Sequence, residues 1–330
     1  MMNNRQPKIH VGIMASPELQ FSLDDDFVHE QTKFPAGNYS AVSDGNAIEL
    51  HTESGKTVKV ENFLLAPKNP DSWFELKQVT IGVDFHWEQK ENQRFQGALK
   101  LIAENRKVRA INVIYLEDYL KSVISSEMSA TASPGFLKAH AVISRSWLLA
   151  QIEKNKSIAA EGGTYQTSEE TGEEIIRWYD REDHKNFDVC ADDHCQRYQG
   201  ITKINSEKAL KAVEETSGEV LKFDDKICDA RFSKCCGGIS ENFENVWEPK
   251  RHRYLTKVVD SEHGDTTCVD LRVEEEAETW IRNKPHAFCN TSDATILSQV
   301  LPDFDQATSD FYRWMVEYSQ KEIAGLIKER

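Results

Sequence analysis

With 330 residues, 39% of them hydrophobic and 29% charged, the chain can fill one large core or two of ordinary size, which excludes a disordered polymer. Its net charge of -15 disfavours a groove for nucleic-acid phosphates, because such grooves need basic patches. There is no apolar run of about 18 residues, the length a transmembrane helix needs.

The first residues, MMNNRQPKIHVGIM, contain no apolar run long enough for a secretory signal. Three readings stay open: a cytoplasmic protein, a leader removed and replaced by a start Met, or an unusual export route. The seven cysteines are an odd number and cannot all pair within one chain. Cys190 and Cys195 are close, Cys235 and Cys236 are adjacent, and Cys228, Cys268 and Cys289 are scattered. This is not the dense framework of a small disulfide-stapled domain.

Residues 8–104 read mostly as strand. IHVGIM opens with β-branched alternation, and the segment GNYSAVSDGNAIELHTESGKTVKV is punctuated by turn signals at Asp44-Gly45 and Ser54-Gly55. After the loop APKNPDSW come KQVTIGVDFHW and FQGALKLIAENRKVRAINVIY, the second with a turn at Glu104-Asn105. Short strands at close spacing predict a twisted sheet or small barrel.

The stretch from Tyr115 to Gln151 predicts two helices around a short turn. Leu116, Leu120, Val123, Ile124 and Glu127 share one face of the first, so an apolar stripe ends in a carboxylate. Ser133 caps the second helix and Pro134 takes its first position. Leu137, Ala141, Ser144 and Leu148 line one side, with Val142, Ile143 and Trp147 on others, the pattern of a buried helix. Burial among Leu, Val and Ile disfavours the charged form of a carboxyl, a condition that suits a general acid. The pattern also allows Glu127 to be a solvated residue with no role.

Residues 157–183 are polar and rich in Glu and Gly, a solvated excursion. His184, Cys190, His194 and Cys195 then crowd into DHKNFDVCADDHCQRYQG. Such residues can surround a tetrahedral Zn²⁺. Free thiols with solvent-facing histidines, or a disulfide to a distant Cys, are the alternatives. Ser206 to Val213 reads as a short amphipathic helix. GEVLKFDDKICDARFSKCC reads as a hairpin turning at Asp224-Asp225 and running into Gly237-Gly238, which lets backbone approach a ligand closely. Trp247 fits either a sugar platform or core. Residues 293–301 look helical, FYRWMVEYS alternates like a strand, and Ser319 with Glu322 forms a capping box for a last helix, KEIAGLIKER.

EDYLKSVISSEM, LKAHAVISRSW, HCQRYQG, AVEETSGEVLKFDDKICDARFSKCCGG and ENVW, in this order, resemble the SpoIID/LytB family of stage II sporulation protein D-like peptidoglycan enzymes. The resemblance covers roughly residues 8–330. It implies an α+β fold in which a β-rich N-terminal part, residues 1–105, packs on a SpoIID-type mixed α/β catalytic part, residues 106–330, with a glycan groove between them. It also implies a lytic transglycosylase that cuts between N-acetylmuramic acid and N-acetylglucosamine and leaves a 1,6-anhydro end. The family's catalytic Glu, in its S-E-M motif, corresponds to Glu127.

Other roles follow from the same likeness. Arg145 falls in the family's Q-A-V-x-x-R segment, where His140 replaces the usual Gln, and would hold the site or bind Glu127. Gln196 and Tyr198 match C-Q-x-Y and become candidates for the glycan groove. Gly237, Gly238 and Ser240 match S-G-G-x-T/S, with Cys236 in place of the usual Ser. Some members bind zinc in this Cys/His loop, which implies one structural zinc on His184, Cys190 and Cys195, with His194 as fourth ligand. Family domains usually continue past the last helix with further strands, so the resemblance implies a shortened variant or other material in their place. The implied partner is peptidoglycan, in a periplasmic or wall-facing location. The non-catalytic alternative is a LytB-type amidase enhancer that binds wall and activates a partner amidase.

Overall fold

The computed structural model describes residues 6–83, 88–129, 131–161, 167–178, 184–204, 206–262, 270–301 and 311–329, the side chains of 159, 161 and 329 excepted. Cys268, the end of the expected strand at 84–87, and residues 162–166 and 179–183 of the polar excursion lie outside them. The chain divides into two compact units, residues 1–230 and 231–330.

The first unit begins with β1 (Lys8–Ser16), β2 (Glu18–Leu23), β3 (Phe27–His29), β4 (Thr32–Phe34), β5 (Gly37–Ser43) and β6 (Ile48–Thr52). It continues with β7 (Thr57–Val60), β8 (Asn62–Pro67), β9 (Trp73–Ile81), β10 (Gln89–Gln96), β11 (Ala98–Glu104) and β12 (Lys107–Tyr115). Then come α1 (Leu116–Glu127), α2 (Pro134–Glu161), the hairpin β13 (Ser168–Glu170) and β14 (Ile175–Arg177), β15 (Val189–Cys190) and α3 (Glu207–Glu215). A seven-stranded sheet has the order β15-β1-β12-β11-β8-β3-β4, and a six-stranded sheet the order β10-β9-β2-β5-β6-β7. The fold is α+β, as expected.

The division at 230/231 differs from the expected change at 105/106. β11 and β12 flank that position and form one antiparallel hairpin, from Ala98↔Val113 to Glu104↔Lys107, so the chain stays in one sheet across it.

Alternation builds the sheets' buried faces: Leu19, Phe21 and Leu23 of β2 are buried while Glu18 and Gln20 are exposed. The same core takes in Leu116, Tyr119, Leu120, Val123 and Ile124 of α1 and Leu137, Ala141, Trp147 and Leu148 of α2. Full burial of such a side chain is worth about 1.5–3 kcal/mol. α2 starts where its signals put it: the Phe136 N–H donates to Ser133 Oγ at 3.3 Å, with Pro134 in the first turn.

The second unit holds the hydrogen-bonded pair Ile239↔Val259, α4 (Phe243–Val246), α5 (Glu274–Asn283), α6 (Ala294–Val300) and α7 (Gln320–Glu329). The capping box is formed: the Ser319 N–H donates to Glu322 Oε2 at 2.7 Å, and the Glu322 N–H to Ser319 Oγ at 3.3 Å. The strand expected at 311–319 is not formed. Residues 313–319 have no regular structure, and no strand pairs with them among the described residues. Arg313 instead donates to the carbonyls of Gly237 and Tyr312 at 2.9 and 2.8 Å, while Trp314 and Met315 stay exposed.

Candidate active site and candidate metal centre

Glu127 is the last residue of α1, and its side chain is 15% exposed. Its Oε1 accepts from the backbone N–H of Arg197 at 3.0 Å. Its Oε2 lies 3.2 Å from Nε2 of His140, which is buried on α2. The carboxyl is therefore held by a backbone donor on Oε1, while Oε2 lies beside an imidazole without the alignment of a hydrogen bond.

The segment Cys195–Gln199 brings Arg197 to this position because alternate residues anchor it. Gln196 is buried; its Oε1 accepts from Tyr119 Oη at 3.1 Å and its Nε2 donates to the Ser144 carbonyl at 3.4 Å. Tyr198 is buried, stacks on Tyr119 with centroids 5.0 Å apart, and donates to Asn112 Oδ1 at 2.5 Å. Burial pushes both tyrosine hydroxyls above their ordinary range, so both remain donors. The Gln199 N–H donates to Ser122 Oγ at 3.2 Å. Arg197 lies between the two anchors and turns its guanidinium to Asp193, at 3.0 Å.

Gln196 and Tyr198 thus serve as core anchors rather than as glycan-facing groups; only 1% of each is exposed. For Arg145, expected either to hold the site or to bind Glu127, the contacts are those of the first role. It is fully buried and forms a two-pronged pair with Glu117, Nε to Oε1 at 2.9 Å and Nη2 to Oε2 at 2.6 Å. Its Nη1 donates to the Glu219 carbonyl at 3.1 Å. Arg145 therefore holds α2 to α1 and to the chain after α3, and it does not bind Glu127. A buried guanidinium survives only with such a partner set.

The four Cys/His residues converge. One ligand atom from each of His184, Cys190, His194 and Cys195 lies within 4.8 Å of the others. His184 Nε2 and His194 Nδ1 approach Cys195 Sγ at 3.3 and 3.4 Å, and both thiols are free of disulfides. Hydrogen bonding from Cys195, and then from His184 and His194, holds the Cys190 thiol well below its ordinary range against the opposing effect of burial. Two sulfurs and two imidazoles fit a tetrahedral zinc closed to substrate.

The loop is docked on the edge of β1. β15 pairs in parallel with it, Val11↔Val189 and Gly12↔Cys190, and the Ala191 N–H donates to the Gly12 carbonyl at 3.0 Å. Phe187, which stacks on His184 at 4.5 Å, lies over Gly12, where an added Cβ would meet its ring at 2.6 Å. Cys195, a metal-ligand candidate, is two residues from the Arg197 amide that binds Glu127.

Gly237, Gly238 and Ser240 belong to the second unit. An added Cβ on Gly238 (φ +99°) would lie 2.8 Å from Tyr312 Oη and 3.0 Å from Trp280, so the glycine allows close packing within that unit. Ser240 Oγ accepts from the Val258 N–H at 2.8 Å and donates to the Thr256 carbonyl at 3.3 Å, which uses it structurally. Trp247 is half-buried beneath the guanidinium of Arg231, 4.3 Å from its ring centre.

Sequence reasoning missed His140 as the neighbour of Glu127, Asn112 as the acceptor for Tyr198, and Glu117 as the partner of Arg145. His140 did carry a signal, as the His standing where the family usually has Gln.

The sequence profile of the SpoIID family, described as stage II sporulation protein, matches residues 104–223. A second profile, described as a domain of unknown function (DUF8618), matches residues 241–330. An uncharacterized protein of Brachyspira hyodysenteriae is 28% identical over 153 residues, which is 46% of this chain and 34% of the relative. Stage II sporulation protein D of Bacillus subtilis is 26% identical over 141 residues, which is 42% of this chain and 37% of the relative. The matched region spans about a third of the length of each relative. The stretch that matches the SpoIID family, residues 104–223, covers α1, α2 and the Cys/His loop.

Proposed function

We propose that this chain is a peptidoglycan lytic transglycosylase with Glu127 as its single acid and base. The similarity of residues 104–223 to the SpoIID family supports a cell-wall-related function. The observation that carries the finer reading is the placement of the Glu127 carboxyl, at the end of α1 between the Arg197 N–H and His140 Nε2.

In this reading the protonated carboxyl gives its proton to the glycosidic oxygen, and the bond from that oxygen to C1 breaks. Positive charge develops at C1 of the muramic acid residue. The carboxylate then takes the proton of that sugar's C6 hydroxyl, whose oxygen closes on C1 to form the 1,6-anhydro ring. The proton returns to the carboxyl, and no water is consumed. An ordinary glycosidase needs a second carboxylate to activate water or attack C1; here the internal hydroxyl replaces both roles. The Arg197 N–H would steady the carboxylate form between the two proton transfers, and His140 would keep the other oxygen oriented.

The glycan groove between the β-rich part and the helical hairpin belongs to this proposal, as does a location facing the wall. A structural zinc on His184, Cys190, His194 and Cys195 would fix the loop that carries the Arg197 amide. With four protein ligands it would have no open position for chemistry.

The test is mass analysis of the soluble products from purified sacculi, both intact and stripped of stem peptides. Anhydro-ended fragments, lighter by one water than hydrolysis products, are expected. Their absence, with stimulation of an amidase by the same protein, would replace this reading with the non-catalytic one.

A further inference from the structure

The second unit carries donor atoms that the proposed function does not use. Sγ of Cys236 and Sγ of Cys289 are 3.6 Å apart. A carboxylate oxygen of Asp260 joins them, and the three ligand atoms all lie within 4.8 Å of one another. All three residues are half-buried. Sγ of Cys235 lies 3.9 Å from the Cys289 carbonyl, so another thiol borders the cluster.

Three stretches of chain far apart in sequence are tied together here. The Asp260 N–H donates to the Gly238 carbonyl at 2.9 Å, and the Phe288 N–H to the Asp260 carbonyl at 3.0 Å. The Cys289 N–H donates to Asp260 Oδ2 at 2.9 Å, which turns the carboxylate toward the thiols. Directly after Cys236, Gly237 and Gly238 take φ values of +70° and +99°, which side-chain-bearing residues rarely adopt.

Two sulfurs and a carboxylate oxygen brought within 4.8 Å of one another from three separate stretches of chain can enclose a cation. Sulfur donors with one carboxylate suit a borderline-soft ion such as Zn²⁺, which takes four ligands in structural sites. We propose that Cys236, Cys289 and Asp260 bind a zinc ion as a structural clasp of the second unit. The inference is independent of the transglycosylase reading.

The test is metal analysis of the full chain, expressed with zinc and purified without oxygen. Two zinc ions per chain are expected. Cys236→Ser/Cys289→Ser should lose one, and Cys190→Ser/Cys195→Ser the other. In the unsubstituted chain, Cys236 and Cys289 should resist alkylation until a chelator is added, a readout that does not depend on a variant folding. Unchanged zinc content in Cys236→Ser/Cys289→Ser, immediate alkylation of both thiols, or a Cys236–Cys289 disulfide in the anaerobic protein would overturn the proposal.

Discussion

His140 Nε2 lies 3.2 Å from Oε2 of Glu127, so residues from two helices meet at one carboxyl. In the proposed mechanism His140 is a positioning residue. His140→Gln, which restores the family's usual residue, should keep turnover within about tenfold, while His140→Ala should lose roughly 10- to 100-fold in kcat. A kcat in His140→Ala equal to that of the parent would remove His140 from the mechanism.

Arg145 and Glu117 form a buried pair that is broken by removing either partner. Arg145→Ala should cost about 3–5 kcal/mol, because Glu117 is left buried without its partner. For a unit of this size the melting temperature should fall by on the order of 10 °C. If Arg145→Ala melts like the parent but binds glycan poorly, the residue is a substrate ligand after all.

Tyr198→Phe tests the corresponding point in the C-Q-x-Y segment. It leaves Asn112 Oδ1 without its 2.5 Å donor, a loss of about 1–3 kcal/mol visible in denaturant unfolding. Glycan affinity measured below the unfolding transition should stay unchanged.

Gly12→Ala should act at a distance. Its Cβ would collide with the Phe187 ring, so the Cys/His loop must shift away from β1. Zinc affinity at that loop should fall, and activity with it, because the Arg197 amide moves too. Phe187→Ala in the same chain should recover part of the zinc affinity; additive losses in the double variant would show that the contact is not the cause.

The parts of this molecule legible in sequence are those set by local periodicity. The stripe from Leu116 to Glu127, the Ser133-Pro134 start of α2 and the Ser319/Glu322 box follow from helix geometry, and all three are present. The buried contacts of Gln196 and Tyr198, and the choice between the two roles expected of Arg145, are not legible in sequence. Motif matching finds that a polar residue matters but cannot distinguish a ligand contact from a buried hydrogen bond, and these three are buried. The strand expected at 311–319 failed for a related reason: alternation prescribes faces, but a strand also needs a neighbour to pair with. Cys236, Asp260 and Cys289 are too far apart in sequence for any spacing rule to join them.

The central claim concerns one carboxyl, and Glu127→Gln isolates it, since the amide keeps the size of the side chain and removes the transferable proton. Product analysis should be run on stem-peptide-free glycan with the parent and the variant side by side, after circular dichroism shows matching folds. The account predicts anhydro-ended fragments from the parent and none from Glu127→Gln. Equal yields of those fragments from both proteins would contradict it.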